Sequence, residues 1–367
     1  MKASYLGAMG YSERRNFPIA WPIPPAYHDP ETSVRSYQEG MAECELAEEI
    51  GFDWISFSEH HYSGRIATGT PVVMAAAVAE RCKKAKIAIL GHLLPLNNPV
   101  RVAEELGLLD NITNGRLIIG FLRGTPNEDQ TYGVNPAEGR GRLLEGMDLI
   151  IKALTEPQPF SWEGRYYQYR TVAVWPRPVQ QPLPPVIVAT RSDDTVKYAA
   201  DNHLGLGVSF LPVDEMAKIT DKYQSWCQAA GWQPEPEQIV YRGSIYLSET
   251  DKQAQDWFEN LTRSKPAPAI AMRSTVAGAI DAARTGSEFD LRNVVAGSAQ
   301  GDIVGLSPSL SFVGGPDTVA KQIKAFHDRC GVGVVDLFFQ QPSVDHRDVM
   351  KEIELFGREV LPQINEF

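Results

Sequence analysis

The sequence predicts a (β/α)8 TIM barrel with a long insertion between its seventh and eighth strands. Three observations carry this: eight short apolar runs, helical patterns separating them, and a length of 367 residues that suits one such barrel as a single domain over 1–367. Short apolar runs bounded by turn residues are how strands read when helices cover one face of a parallel sheet and side chains fill the other.

In chain order, residues 3–8 form the first strand. The connection from Gly10 to Pro30 is too long for simple linkage. Its Phe17, Trp21 and Tyr27 either line a pocket or belong to a surface loop stiffened by Pro18, Pro22, Pro24 and Pro25. Met41, Cys44, Ala47 and Ile50 recur at helical spacing, and Gly51 supplies the stop. Trp54 to Phe57 is the second strand. A helix near Pro71 carries the small residues Ala76, Ala77 and Val78, which suit packing on the barrel alone or in a subunit interface as well.

Residues 86–91 form the third strand, and Asn98-Pro99 opens a helix through Val102, Ala103, Leu106 and Leu109. Asn114-Gly115 turns the chain into the fourth strand, 116–120. A helix over 137–154 follows, then a tract with Trp162, Tyr166, Tyr167 and Tyr169 that reads as an added hairpin. Residues 186–189, 206–209, 239–247 and 334–339 supply strands five to eight. Between the last two, residues 264–311 form a Ser/Ala/Gly-rich excursion, expected to be a mobile lid over the loop end of the barrel.

Composition narrows the function. At 43% hydrophobic, 22% charged and a net charge of −11, the chain is of ordinary globular make-up, and no Lys/Arg cluster is long enough to track nucleic acid. Cys44, Cys82, Cys227 and Cys330 lack the close pairing of zinc or redox motifs and are expected to be reduced. No signal peptide or membrane span is legible, so the protein is expected in the cytoplasm.

Chemistry is expected at the C-terminal rim, where barrel strands deliver polar groups. After strand two stand Glu59, His60 and His61, imidazoles able to take or hold a proton near neutral pH, or else structural histidines. After strand four, Arg123 offers a planar fork for a phosphate, or a partner for a rim carboxylate. After strand five, Arg191, Ser192 and Thr195 open a helix whose first turn either binds an anion or is simply capped. Glu59, His60, His61 and His92 are also metal-ligand types. Adjacent histidines diverge from an extended chain, however, and no His-x-His spacing places two on one face, so no metal is expected.

Over almost its full length the chain resembles the bacterial luciferase-like, flavin-dependent monooxygenases. The matching blocks are Gly51-Phe52-Asp53 leading to Glu59-His60-His61, Leu94-Pro95, Asn98-Pro99-Val100-Arg101, and Leu108-Leu109-Asp110 with Asn114-Gly115-Arg116. Phe121-Leu122-Arg123-Gly124 and Tyr132-Gly133-Val134 continue the series.

The resemblance implies a catalytic His60, oriented by Glu59 and His61, beside the flavin. It implies an FMN phosphate held by Arg123, Arg191, Ser192 and Thr195, and a non-proline cis peptide at Leu90-Gly91 near the isoalloxazine ring. Phe17, Trp21 and Tyr132 fall on the substrate side. FMNH2 and O2 are implied as co-substrates, reacting through a C4a-(hydro)peroxyflavin to oxygenate a small carbonyl or aromatic compound. A homodimer and an NAD(P)H-dependent flavin reductase are implied as partners.

The chain departs from the luciferase pattern in three places, of which the long first loop stands against light emission and a long-chain aldehyde substrate. Leu122 replaces a reactive cysteine, Arg191 replaces an acidic residue, and the first loop is longer than the luciferase pattern. The alternatives are hydride transfer by a deazaflavin F420-dependent oxidoreductase on the same barrel, and flavin binding without turnover.

Overall fold

A computed structural model describes residues 1–13, 22–64, 66–263, 311–340 and 344–367. Eight parallel strands close into a barrel in the order β1 (Lys2–Leu6), β2 (Trp54–Phe57), β3 (Lys86–Leu93), β4 (Leu117–Leu122), β7 (Val186–Ala189), β8 (Gly205–Ser209), β9 (Ile239–Leu247) and β11 (Val334–Phe338), with β11 returning to β1. These are the eight strands expected from the sequence. The aromatic tract forms the predicted hairpin, β5 (Phe160–Glu163) against β6 (Gln168–Val172). One strand was not foreseen: β10 (Ser311–Gly314) extends the C-terminal half of β9, pairing Ser311 with Ser244. At four residues, hard against Gly315 and Pro316, it carries too short a pattern to read.

Alternation along each strand divides the core. Trp54, Ala88, Ile118, Ile187, Val240 and Val334 fill the barrel interior. Their sequence neighbours Ile55, Ile87, Ile119 and Val188 face outward into the larger core beneath the helices.

Local chemistry explains the helix ends. In α1 (Pro30–Ile50), the Asp29 carboxylate accepts from the Thr32 N–H at 2.7 Å and Gly51 ends the helix at φ 106°. In α3 (Pro99–Ile112), the Asn98 side chain accepts from the N–H groups of Val100 and Arg101. The remaining described helices are α2 (Pro71–Ala79), α4 (Pro126–Thr131), α5 (Gly139–Thr155), α6 (Asp193–Asp201), α7 (Val213–Ala229), α8 (Asp251–Arg263), α9 (Pro316–Cys330) and a terminal helical segment from His346. None of the described helices is long and apolar enough to cross a membrane. All four cysteines are buried and unpaired.

The seam between β3 and β4 matters for the site. A Cβ on Gly91 would come within 2.8 Å of the Gly120 carbonyl oxygen, and one on Gly120 within 2.3 Å of the Ile89 carbonyl oxygen. The ladder shifts register between Ile89 and His92, and β3 therefore runs on to Leu93, beyond the predicted end.

Candidate active site at the barrel mouth

β2 ends at Phe57, so Glu59, His60 and His61 emerge at the C-terminal rim as expected. The register shift in β3 brings His92 and Leu93 alongside them, next to the non-proline cis peptide at Leu90–Gly91. Glu59 is buried and holds this group together. Its carboxylate accepts from the Leu93 N–H at 2.9 Å and lies 3.2 Å from His61 Nε2. His92 Nδ1 stands 3.0 Å from the other oxygen, and the Asn97 amide adds a bond at 3.3 Å. Burial pushes the Glu59 carboxyl up, but His61, His92 and the Leu93 N–H outweigh it and hold it at about 2. An ionised Glu59 can only accept, so His61 Nε2 donates to it, and the Tyr132 hydroxyl lies 3.3 Å from His61 Nδ1.

His60 does not belong to this group. The expectation that Glu59 and His61 orient it is corrected by the geometry: His60 Nδ1 lies 3.4 Å from Glu128 Oε1, on α4. Successive side chains of an extended segment leave on different sides, which separates the two imidazoles. Glu128 is fixed by the Thr125 N–H at 3.0 Å and by the Thr125 hydroxyl. Burial raises its pKa, but His60 and Thr125 outweigh it and hold the carboxyl below its usual range. The chain thus presents two acid–imidazole pairs side by side.

Arg123, just past β4, donates to Asp129 at 3.2 Å and to the Pro136 carbonyl at 3.0 Å. Burial, only partly offset by Arg123, pushes Asp129 up to about 6, so this carboxyl can gain or lose a proton near neutral pH. At the start of α6, Thr195 is buried and its hydroxyl accepts from Ser192 Oγ at 3.0 Å. Asp193 and Asp194 in the first turn are neutralised from outside, by Lys222 at 2.7 Å and Arg140 at 2.5 Å. Arg191 turns away from this turn, donating to the carbonyls of Ser209 and Phe210 at the end of β8. Arg140 therefore stands closer to the first turn of α6 than the sequence reading recognised. The basic run Arg140-Gly141-Arg142 was the available signal.

Between these groups the mouth of the barrel is a small cavity lined by Leu90, Leu122, Ala189, Gly207, Arg242 and Asp336 among others. At its wall, Asp336 accepts from the hydroxyls of Ser4 and Ser56, each at 2.7 Å, and from Arg242 Nε at 2.5 Å. Arg242 also donates to Ser58, which donates to the Leu90 carbonyl. Sequence reasoning missed this ion pair because each member sits inside an apolar strand pattern.

A second cavity, of about 410 Å³, opens beside the rim, lined by Ile23, Pro24, Tyr27, Tyr37, His60 and Tyr62 among others. Tyr27 thus sits in a pocket wall, as one reading of the first loop had it. Phe17 and Trp21 lie outside the described residues, as does the expected lid from 264 up to Ser311. Among the described residues no group of three His, Cys, Asp or Glu side chains is placed to hold a metal ion.

A family model described as luciferase-like monooxygenase matches residues 19–332. The chain is 28% identical over 232 residues to the oxygenase component of flavin-dependent trigonelline monooxygenase from Acinetobacter baylyi, covering 62% of this chain and 64% of that one. It spans about half to two thirds of the length of the curated relatives it matches. Among solved structures, it matches the oxygenating constituent of 3,6-diketocamphane monooxygenase of Pseudomonas putida in complex with FMN at TM-score 0.73 and 21% identity, over 99% of both chains. It matches an F420-dependent secondary alcohol dehydrogenase bound to an F420-acetone adduct at TM-score 0.71 and 14% identity, over 99% of this chain and 98% of that one. At these identities the two structural likenesses speak for fold alone.

Proposed function

Because the chain belongs to the luciferase-like monooxygenase family, we propose that it is the oxygenase of a two-component system. In this reading it takes reduced FMN from a separate NAD(P)H-dependent flavin reductase and uses O2 to oxygenate a small, mainly apolar organic compound. The observation that carries this is the donor set on one rim: Ser192, Thr195 and the first turn of α6, with Arg140 beside it and Arg123 after β4. Hydroxyls, first-turn N–H groups and guanidinium forks are what a phosphate monoester requires. The small residues Ala189 and Gly207 line the mouth beside Leu90 and Leu122.

When bound, the reduced flavin supplies the electrons that activate dioxygen. The chain's own residues supply the rest. His60, with its Nδ1 facing the Glu128 carboxylate at 3.4 Å, lines the cavity as the candidate proton acceptor. The largely apolar cavity beside it, walled by Ile23, Pro24 and Tyr27, holds substrate and limits water at the reacting centre. A second copy of the chain would pack on α2 and α3, which leave Val73, Leu108 and Ile112 exposed.

Anaerobic titration with FMNH2, followed by mixing with oxygenated buffer, tests the proposal. Binding, followed by slow absorbance changes that depend on O2, is the expected result. Binding of reduced F420 instead would move the chain to hydride transfer, the reading that the fold likeness to the alcohol dehydrogenase keeps in play. Flavin binding without turnover of any carbonyl or aromatic substrate would leave a binding protein. Arg123→Met is expected to weaken FMNH2 by about 1–3 kcal/mol and to leave riboflavin, which lacks the phosphate, unaffected. Equal losses for both flavins would remove Arg123 from the phosphate site.

A further inference from the structure

Arg242 and Asp336 stand out inside the barrel. Burying an ion pair costs several kcal/mol per ion before the pair's attraction returns any of it, and well-packed apolar side chains often do as well or better. The neighbouring inward positions Val240 and Val334 are apolar, as barrel interiors normally are. A charge pair placed one step above them needs a reason other than stability.

Its wiring gives the two charges different outlooks. Asp336 is completely buried, and both its oxygens are taken, one by Ser4 and Ser56, the other by Arg242 Nε. Arg242 keeps 8% exposure and lines the mouth cavity with Leu90, Leu122, Ala189 and Gly207. Of its five N–H groups, one goes to Asp336, one to Ser58 and one, at 3.5 Å, to Ser56. The other two have no partner among the described residues. Both members border the cavity, but only Arg242 has exposure and N–H groups to spare, while both Asp336 oxygens are already occupied.

We propose that this pair selects the redox state of the flavin: Arg242 faces the ring system and stabilises the negative charge that the reduced isoalloxazine carries at N1 and the C2 oxygen. The oxidised ring is neutral and gains little from the same guanidinium. The inference rests on the flavin reading above. It adds a residue whose work is to favour the incoming reduced cofactor over its spent form, at a place where a preorganised donor is strong because water is excluded.

The test compares binding of FMN and, anaerobically, FMNH2 to wild type and two variants. Arg242→Gln alone would strand Asp336 without its partner, so Arg242→Gln/Asp336→Asn removes both charges together. It should lower the preference for reduced over oxidised flavin at least tenfold, read also as a fall of about 30 mV in the bound midpoint potential for each tenfold. Asp336→Asn alone leaves the cation uncompensated and should shift the preference the other way. Equal losses for both redox states, or an unmoved ratio in both variants, would overturn the role of Arg242 while leaving flavin binding intact. Failure of wild type to bind either form would overturn the flavin reading and this inference together.

Discussion

His60→Ala should cut oxygenation by about 10²–10⁴-fold, the usual worth of a positioned general base, while reduced-flavin affinity stays close to wild type. The split follows from where His60 sits: on the wall of the side cavity, paired with Glu128, and on a different element from Arg123 and the first turn of α6. Single-turnover kinetics after anaerobic loading separates the two quantities, since the affinity is measured before oxygen is admitted. A variant that binds reduced flavin and oxygenates at full rate would show that His60 only lines the cavity.

Glu59→Gln should destabilise the fold by roughly 2–3 kcal/mol at neutral pH, the worth of a carboxyl held near 2 rather than its usual value. The stabilisation belongs to the ionised form. It is fully present above the unfolded pKa, near pH 4.3, and disappears as pH falls through the folded value. Denaturant unfolding of wild type and variant at pH 7 and again near pH 3 should therefore show a wide gap that narrows in acid. The same gap at both pH values would mean that the loss comes from packing or from the amide's geometry.

How much of this was legible follows a physical line. Strand and helix positions rest on periodicity and turn residues, which are local, and all eight barrel strands lie where the pattern put them. The rim residues Glu59, His60 and His61 were visible because three polar groups closing an apolar strand are conspicuous. Their partners were not. Glu128 comes from the helix after β4, His92 comes alongside only through the register shift in β3, and Arg242 and Asp336 meet across 94 residues of chain. Pairing at that distance is set by barrel closure, which leaves no mark in any one segment. The assignment of Glu59 and His61 to His60 failed for the same reason: adjacency in sequence was taken for adjacency in space.

The crowded seam at Gly91 and Gly120 also has a bearing on redesign. Any side chain larger than hydrogen at either position collides with backbone of the facing strand, so this wall of the mouth cannot be reshaped by mutation. The cavity wall formed by Ile23, Tyr27 and Tyr62 lies on connections outside the barrel strands, where side chains can change without disturbing a ladder. A library aimed at new substrates should randomise that wall and hold the seam fixed: the chain separates an evolvable surface from an invariant frame within one site.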